Sequence, residues 1–146
     1  MRDMQMRCQD VQAVADSLLV DHPVLETKIR RALLCNAPDA RRAVIEVLRF
    51  MTLASNPTQG QLTPSHRVDL AWHELILFTR TYHQLCHSMF GMFIHHQPGG
   101  TQQENQLQFS KTLEVYANAF GPPPRDFWGT RDETTATCGT CESNGD

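Results

Sequence analysis

The sequence predicts an all-α protein, a single compact domain of about five helices. Apolar residues recur at spacings of three and four in five segments, and the alternating apolar–polar runs typical of strands do not occur. The chain has 146 residues, 40% of them hydrophobic, which suits one domain with its own core. We therefore expect a helical domain over residues 1–129. A flexible, polar, cysteine-containing tail is expected over residues 130–146.

The first three predicted helices follow one another closely. The first spans residues 10–19, and each of the next two begins after a proline-containing turn, at residues 21–23 and 36–39. Asp21 and Asn36 are favourable N-caps, and proline suits a first helical turn. The last helix is predicted over residues 102–120, where Gly121 and three prolines end it. Beyond them, Phe127 and Trp128 are expected to fold back onto the core.

The fourth predicted helix lies in the chemically densest part of the chain, residues 69–98, which holds five of the seven histidines and one cysteine. Ser65 is a favourable N-cap and Gly91 a favourable stop, so the pattern predicts one long helix and then a turn. One face is apolar: Leu75, Phe78, Tyr82, Leu85 and Met89. A mostly polar stripe lies beside it: Asp69, His73, Ile76, Arg80, His83 and His87. Because its apolar face is rich in aromatic residues, we expect this helix to be the most buried.

The histidines and the cysteine of this segment predict a metal site. Imidazole nitrogen and thiolate sulfur are the ligands that zinc and related transition metals prefer. The candidate ligands are His73, Cys86, His95, His96, His83 and His87.

The spacing of the candidate ligands leaves two arrangements open. His73 and Cys86 are about 20 Å apart along an unbroken helix, too far to share one ion. If the helix breaks near residues 79–81, these two and either His95 or His96 can meet at one site. If it does not break, the site divides: Cys86 pairs with a neighbouring histidine on its own helix, and His73 meets a residue of another helix.

Two further cysteine patterns have alternative interpretations. Cys138 and Cys141 form a CxxC pair, which can supply half of a zinc site or a redox dithiol. Attachment of c-type haem is excluded because Glu142 stands where a histidine is needed. Cys86 has a histidine at helical spacing on either side, so it could also be an activated nucleophile; we rank this below metal binding.

Composition indicates where in the cell the protein is located and which classes of partner it binds. The formal net charge of −3 gives no preference for nucleic acid or anionic membranes. No apolar run approaches the roughly 20 residues of a membrane span, and the first residues lack the apolar core of a signal peptide. Five scattered cysteines argue against a disulfide framework. We expect a cytoplasmic protein with no nucleic-acid or membrane partner; a protein partner and the oligomeric state are left open.

Between about residues 40 and 100 the chain contains a recognisable pattern. It consists of Val68-Asp69, Trp72-His73, Phe78-Thr79, Tyr82, Cys86, Phe90-Gly91, Phe93-Ile94-His95-His96 and Pro98, with Arg49-Phe50 and Pro64-Ser65 upstream. This pattern resembles the glycine-rich domain-containing protein-like family, whose bacterial members are short and helical. The resemblance implies a helical domain and singles out His73, Tyr82, Cys86 and either His95 or His96. It implies little about activity.

The sequence thus supports two functions. The first is a small cytoplasmic protein with a His/Cys metal-binding site, in which zinc or another transition metal could also serve an enzymatic reaction. The alternative is a helical protein–protein interaction module whose histidines and cysteines are structural. Convergence of His73, Cys86 and either His95 or His96 within a few ångströms would favour the first.

Overall fold

The regular structure of the described chain is entirely α-helical, apart from one 3-10 turn. The computed structural model describes the backbone of residues 2–97 and 99–129, and side chains from residue 11 onward. Seven α-helices occur in this part: α1 (Arg2–Asp21), α2 (Pro23–Leu33), α3 (Ala37–Ala54), α4 (His66–Ile76), α5 (Thr79–Phe90), α6 (Gln102–Phe120) and α7 (Arg125–Trp128). The predicted all-α class is confirmed. The tail of residues 130–146, with its CxxC pair, lies outside the described residues.

The most buried helix is α3, and not the histidine-rich segment as the sequence led us to expect. Eleven of its 18 residues are buried, against five of 11 in α4 and three of 12 in α5. Helices α1, α2, α4 and α6 all pack against α3. Helices α4 and α5 each leave one side in solvent, which is where several histidines lie. None of the described helices is long and apolar enough to span a membrane.

Side-chain caps set the start of three helices. Each cap accepts a hydrogen bond from the backbone N–H three residues later, which satisfies a donor that the first helical turn leaves without a partner. The caps are Asn36 for α3, Ser65 for α4 and Thr101 for α6. The cap of α4 is itself buried, because the Ser65 hydroxyl also donates to the carbonyl of Phe127 at 2.6 Å.

The single helix predicted between Ser65 and Gly91 is two helices. Phe78 has φ −84° and ψ 68°, outside the α-helical region, so α4 ends before it and α5 begins after it. The Phe78 ring lies 5.5 Å from the His22 ring, and His22 Nε2 lies 3.1 Å from Thr81 Oγ1. Contacts with the α1–α2 junction therefore hold the break. The break falls at residues 77–78, just before residues 79–81, near which the sequence allowed for one.

The short helix α7 folds back onto the core, as predicted for Phe127 and Trp128. Both side chains are buried. The Trp128 indole donates to Glu46 Oε1 at 2.8 Å, and the Phe127 ring centre lies 4.8 and 5.2 Å from the guanidinium carbons of Arg42 and Arg67. The described chain thus ends inside the same core that α3 organises.

Candidate metal centre

Two imidazoles and a carboxylate meet where α4 faces the loop after α5. Asp69 and His73 lie on α4, and His96 lies on the loop. One potential ligand atom from each residue lies within 4.8 Å of the other two. His96 Nε2 lies 2.8 Å from Asp69 Oδ1, which is hydrogen-bond distance, and His73 Nε2 lies 3.9 Å from Asp69 Oδ2. The carboxylate therefore has an imidazole nitrogen near each of its oxygens.

Helical geometry accounts for the first pair of residues. Asp69 and His73 are four residues apart, so on α4 their side chains lie on one face. The two side chains differ in exposure: 3% of the Asp69 side chain is accessible to solvent, against 46% of that of His73. The pair thus has a buried carboxylate on the inside and an exposed imidazole on the outside.

A chain of hydrogen bonds brings the third residue to this pair. After α5, Gly91 adopts a left-handed conformation with φ 69°, which turns the chain back. The Trp72 indole donates to the Tyr82 hydroxyl at 3.1 Å, and this hydroxyl donates to the carbonyl of Ile94 at 2.5 Å. The loop is therefore fixed to α4 and α5 two residues before His96.

The protonation of Tyr82 suits its role as a donor. Its side chain is almost fully buried, and burial raises the pKa of the Tyr82 hydroxyl well above its ordinary value. The group therefore keeps its proton at neutral pH and can donate to the Ile94 carbonyl.

His96 is enclosed more than His73. Its ring lies 4.7 Å from the Trp72 ring and 4.2 Å from the His73 ring, and 13% of its side chain is accessible. Burial therefore falls across the site from Asp69 to His96 to His73, and the site opens to solvent on the His73 side.

A cavity of about 440 Å³ adjoins the site on its inner side. Asp69, Trp72 and His96 contribute to its wall, whereas His73 does not. Two of the three candidate ligands therefore line a cavity of a size that suits a small molecule.

A protein-family model matches residues 19–116 of the chain, and this match shows the family to which the chain belongs. The chain is a member of the UCP032817-like family. The match covers well over half of the chain and includes Asp69, His73 and His96. The resemblance to the glycine-rich domain-containing protein-like family is wrong, because the family that matches this region is a different one. No curated protein and no solved structure matches the chain significantly.

The other predicted ligands of this UCP032817-like protein lie elsewhere. Cys86 is fully buried beside Tyr82, and the described group of three does not include it. His83 and His87 are exposed on α5, with ring centres 4.5 Å apart. His95 is exposed, with its ring 4.7 Å from that of Phe93. Of the six predicted ligands, His73 and His96 are the two that belong to the described group of three.

Asp69 is the member of the group that the ligand prediction missed. The polar stripe of the predicted helix already contained it, and its spacing of four from His73 is the signal that could have identified it. The predicted ligand set contained histidine and cysteine alone and therefore lacked this carboxylate. The choice of His96 over His95 depends on the path of the loop, which no local pattern describes.

The donor set of this UCP032817-like protein fits a divalent transition metal. Two histidines and one carboxylate are the protein ligands of several catalytic zinc sites and of non-haem iron sites. An ion that is tetrahedrally bound at 2.0–2.2 Å separates its ligand atoms by about 3.4 Å. The candidate atoms lie within 4.8 Å of one another, so movements of about an ångström would complete such a site.

Proposed function

We propose that this UCP032817-like protein binds one divalent transition metal ion, zinc or a chemically similar metal, through Asp69, His73 and His96. The observation that supports this best is the approach of three potential ligand atoms to within 4.8 Å. These residues come from a regular helix and from a loop that is fixed by hydrogen bonds, so little conformational entropy would be lost on binding.

Electrostatics favours a cation at this position. Asp69 is a buried carboxylate, and ionised groups are costly to bury unless they are paired. In the first turn of α4 the helix dipole offsets part of that cost. A dication would pair with the carboxylate directly and would replace the hydrogen-bond contact between Asp69 and His96 by two metal–ligand bonds.

Three protein ligands would leave at least one coordination position for water or for another molecule. Zinc sites with three protein ligands are mostly catalytic, whereas structural sites use four. The cavity next to Asp69 and His96 gives a small molecule a route to that position. We therefore favour a site that acts on or senses a small molecule over a purely structural one.

Metal titration of untagged protein tests the proposal. Isothermal titration with Zn²⁺, and with Co²⁺ as a spectroscopic probe, should give one ion per chain. His73→Ala should weaken binding at least about tenfold, because it removes one of three ligands. The exposure of the His73 side chain makes this variant unlikely to disturb folding. Asp69→Asn and His96→Ala should weaken binding as well.

Two variants serve as controls for this titration. His87→Ala removes another exposed histidine, from α5, and Cys86→Ala removes the buried thiol that the sequence suggested as a ligand. Both should bind metal as the parent protein does. No binding by the parent protein, or full binding by His73→Ala, would contradict the proposal. The contact between Asp69 and His96 would then serve only to hold the loop, as the interaction-module alternative requires.

A further inference from the structure

The wall of the cavity beside the candidate metal site is rich in carboxamide side chains. Gln61, Gln97, Asn105 and Gln108 all contribute to it. A carboxamide has a hydrogen-bond donor and an acceptor side by side, without a net charge. The wall therefore contains neutral hydrogen-bonding groups, two of which, Gln61 and Gln97, are bonded to each other at 3.4 Å.

The charges in the wall disfavour an anionic ligand. Two carboxylates, Asp69 and Glu104, contribute to the wall, and its residues include no lysine or arginine within the described chain. A bound dication would leave one net positive charge after pairing with Asp69, and Glu104 would offset it. A phosphate or carboxylate ligand would thus find no lysine or arginine in the described wall, in contrast to common anion sites.

The Gln108 carboxamide is held in a fixed position by α6 and the loop before α4. Gln108 Oε1 accepts a hydrogen bond from the Thr63 hydroxyl at 2.7 Å. The buried Thr112 hydroxyl accepts from the Thr63 backbone N–H at 3.1 Å and donates to the Gln108 carbonyl at 2.8 Å. The bond from the Thr63 hydroxyl uses the acceptor end of the Gln108 side chain, so its Nε2 group is the end that can donate to a ligand.

Apolar side chains form a second part of the wall. Trp72, Met92, Phe93 and Ile94 contribute to it. Small-molecule sites typically combine such an apolar lining with a few polar groups, and the volume of about 440 Å³ lies in their usual range.

We propose that the cavity binds a small uncharged molecule that contains a carboxamide group and an apolar part. Gln108 would donate to its carbonyl oxygen, and the aromatic wall would pack on its apolar part. This inference rests on the proposed function in one respect: when the metal is bound, the same carbonyl oxygen can coordinate it, which adds affinity.

Three probes of nearly identical shape test the ligand class. Benzamide is neutral, benzoate is an anion and benzamidinium is a cation, so a comparison of the three isolates the effect of charge. We would measure their affinities by chemical-shift titration of ¹⁵N-labelled protein, with and without Zn²⁺. Benzamide should bind with a Kd of about 1 mM or tighter, as its nine non-hydrogen atoms allow. It should shift the signals of Gln108 and His96.

In metal-free protein, benzoate should bind at least about tenfold more weakly than benzamide, because the wall contains no lysine or arginine to pair with it. Gln108→Leu should weaken benzamide binding about fivefold, the loss of one hydrogen bond. Gln84→Leu, which changes an exposed glutamine on α5, should leave it unchanged. Benzoate binding as tightly as benzamide to metal-free protein, or benzamidinium binding as tightly as benzamide to zinc-loaded protein, would overturn the inference, as would the absence of shifts at about ten times the expected Kd.

The comparison with and without Zn²⁺ separates the two proposals. Binding of benzamide by protein that fails to take up zinc would contradict the metal site and support the ligand class. Uptake of zinc by protein that ignores benzamide would support the metal site and contradict the ligand class.

Discussion

The Tyr82 hydroxyl joins three parts of the chain at one point. It lies on α5, accepts a hydrogen bond from Trp72 on α4 and donates one to Ile94 in the loop that contains His96. All three residues are buried, so the loss of the hydroxyl would leave a buried indole N–H and a buried carbonyl without this partner. A buried polar group without a partner costs about 1–3 kcal/mol, more than the net gain from a typical hydrogen bond.

Tyr82→Phe should therefore lower the free energy of unfolding by about 1–3 kcal/mol. It should also weaken zinc binding, because the loop that positions His96 loses its attachment. Urea denaturation and zinc titration measure the two effects. Tyr116→Phe is the matched control: the Tyr116 hydroxyl is equally buried and donates to Glu46 at 2.6 Å, but it lies on α6 and outside the proposed metal site. The Tyr116→Phe variant should lose stability and keep its zinc affinity. Equal zinc affinity in both variants would contradict the role of Tyr82 in positioning His96.

At the scale of elements, local patterns predicted most of the helices. The caps Asn36 and Ser65 were predicted, and the 3.6-residue period was clear in α1, α2, α3 and α6. The break between α4 and α5 could not be located in this way, because the apolar spacing continues through Phe78. The contacts that hold the break come from His22, more than fifty residues earlier. Helix α7 has four residues, too few for any period.

The same distinction between local and distant contacts applies to the candidate site. His73 was predicted from its place on a polar stripe, and its partner Asp69 was within reach of the same argument. The approach of His96 depends on a turn at Gly91 and on the hydrogen bond from Tyr82 to Ile94, twelve residues apart. Composition and spacing therefore indicated a metal site in this segment without identifying which ligands come together.

The N-cap of α4, Ser65, should contribute more to the free energy of unfolding than the N-cap of α6, Thr101. Ser65→Ala removes a hydrogen bond to the backbone N–H of Val68 and leaves the buried Phe127 carbonyl without its 2.6 Å donor. We expect a loss of about 2–3 kcal/mol in the free energy of unfolding. Thr101→Ala removes an exposed cap from α6 and should cost about 1 kcal/mol. Thermal and urea denaturation of the two variants measure the difference; equal losses would show that the bond to Phe127 contributes nothing.

At the scale of the whole molecule, α7 completes a buried polar network in the core. Trp128 and Tyr116 both donate to Glu46 Oε1, at 2.8 and 2.6 Å, and Arg49 donates to Glu46 Oε2 at 3.1 Å. Burial, together with the nearby Glu46 carboxylate, raises the pKa of Tyr116, so its hydroxyl remains a donor at neutral pH. Removal of one donor would leave a buried carboxylate incompletely paired, which is costly. The last helix thus stabilises the centre of the fold through α3.

Two truncations test this dependence and the role of the last residues together. A chain that ends at Gly129 keeps all of α7, and residues 130–146 have no apolar period that could pack on the core. Its melting temperature should stay close to that of the full chain. A chain that ends at Pro124 loses both Phe127 and Trp128. Truncation of a single buried Trp or Phe side chain costs about 3–5 kcal/mol, and typical domains have 5–15 kcal/mol in total, so this chain should be largely unfolded. Circular dichroism during heating distinguishes the two.

Zinc titration of the chain that ends at Gly129 adds a second result, since Asp69, His73 and His96 are all retained. Unchanged zinc affinity would support a site made by these three residues, whereas a loss of affinity without a loss of stability would show that Cys138 and Cys141 supply ligands.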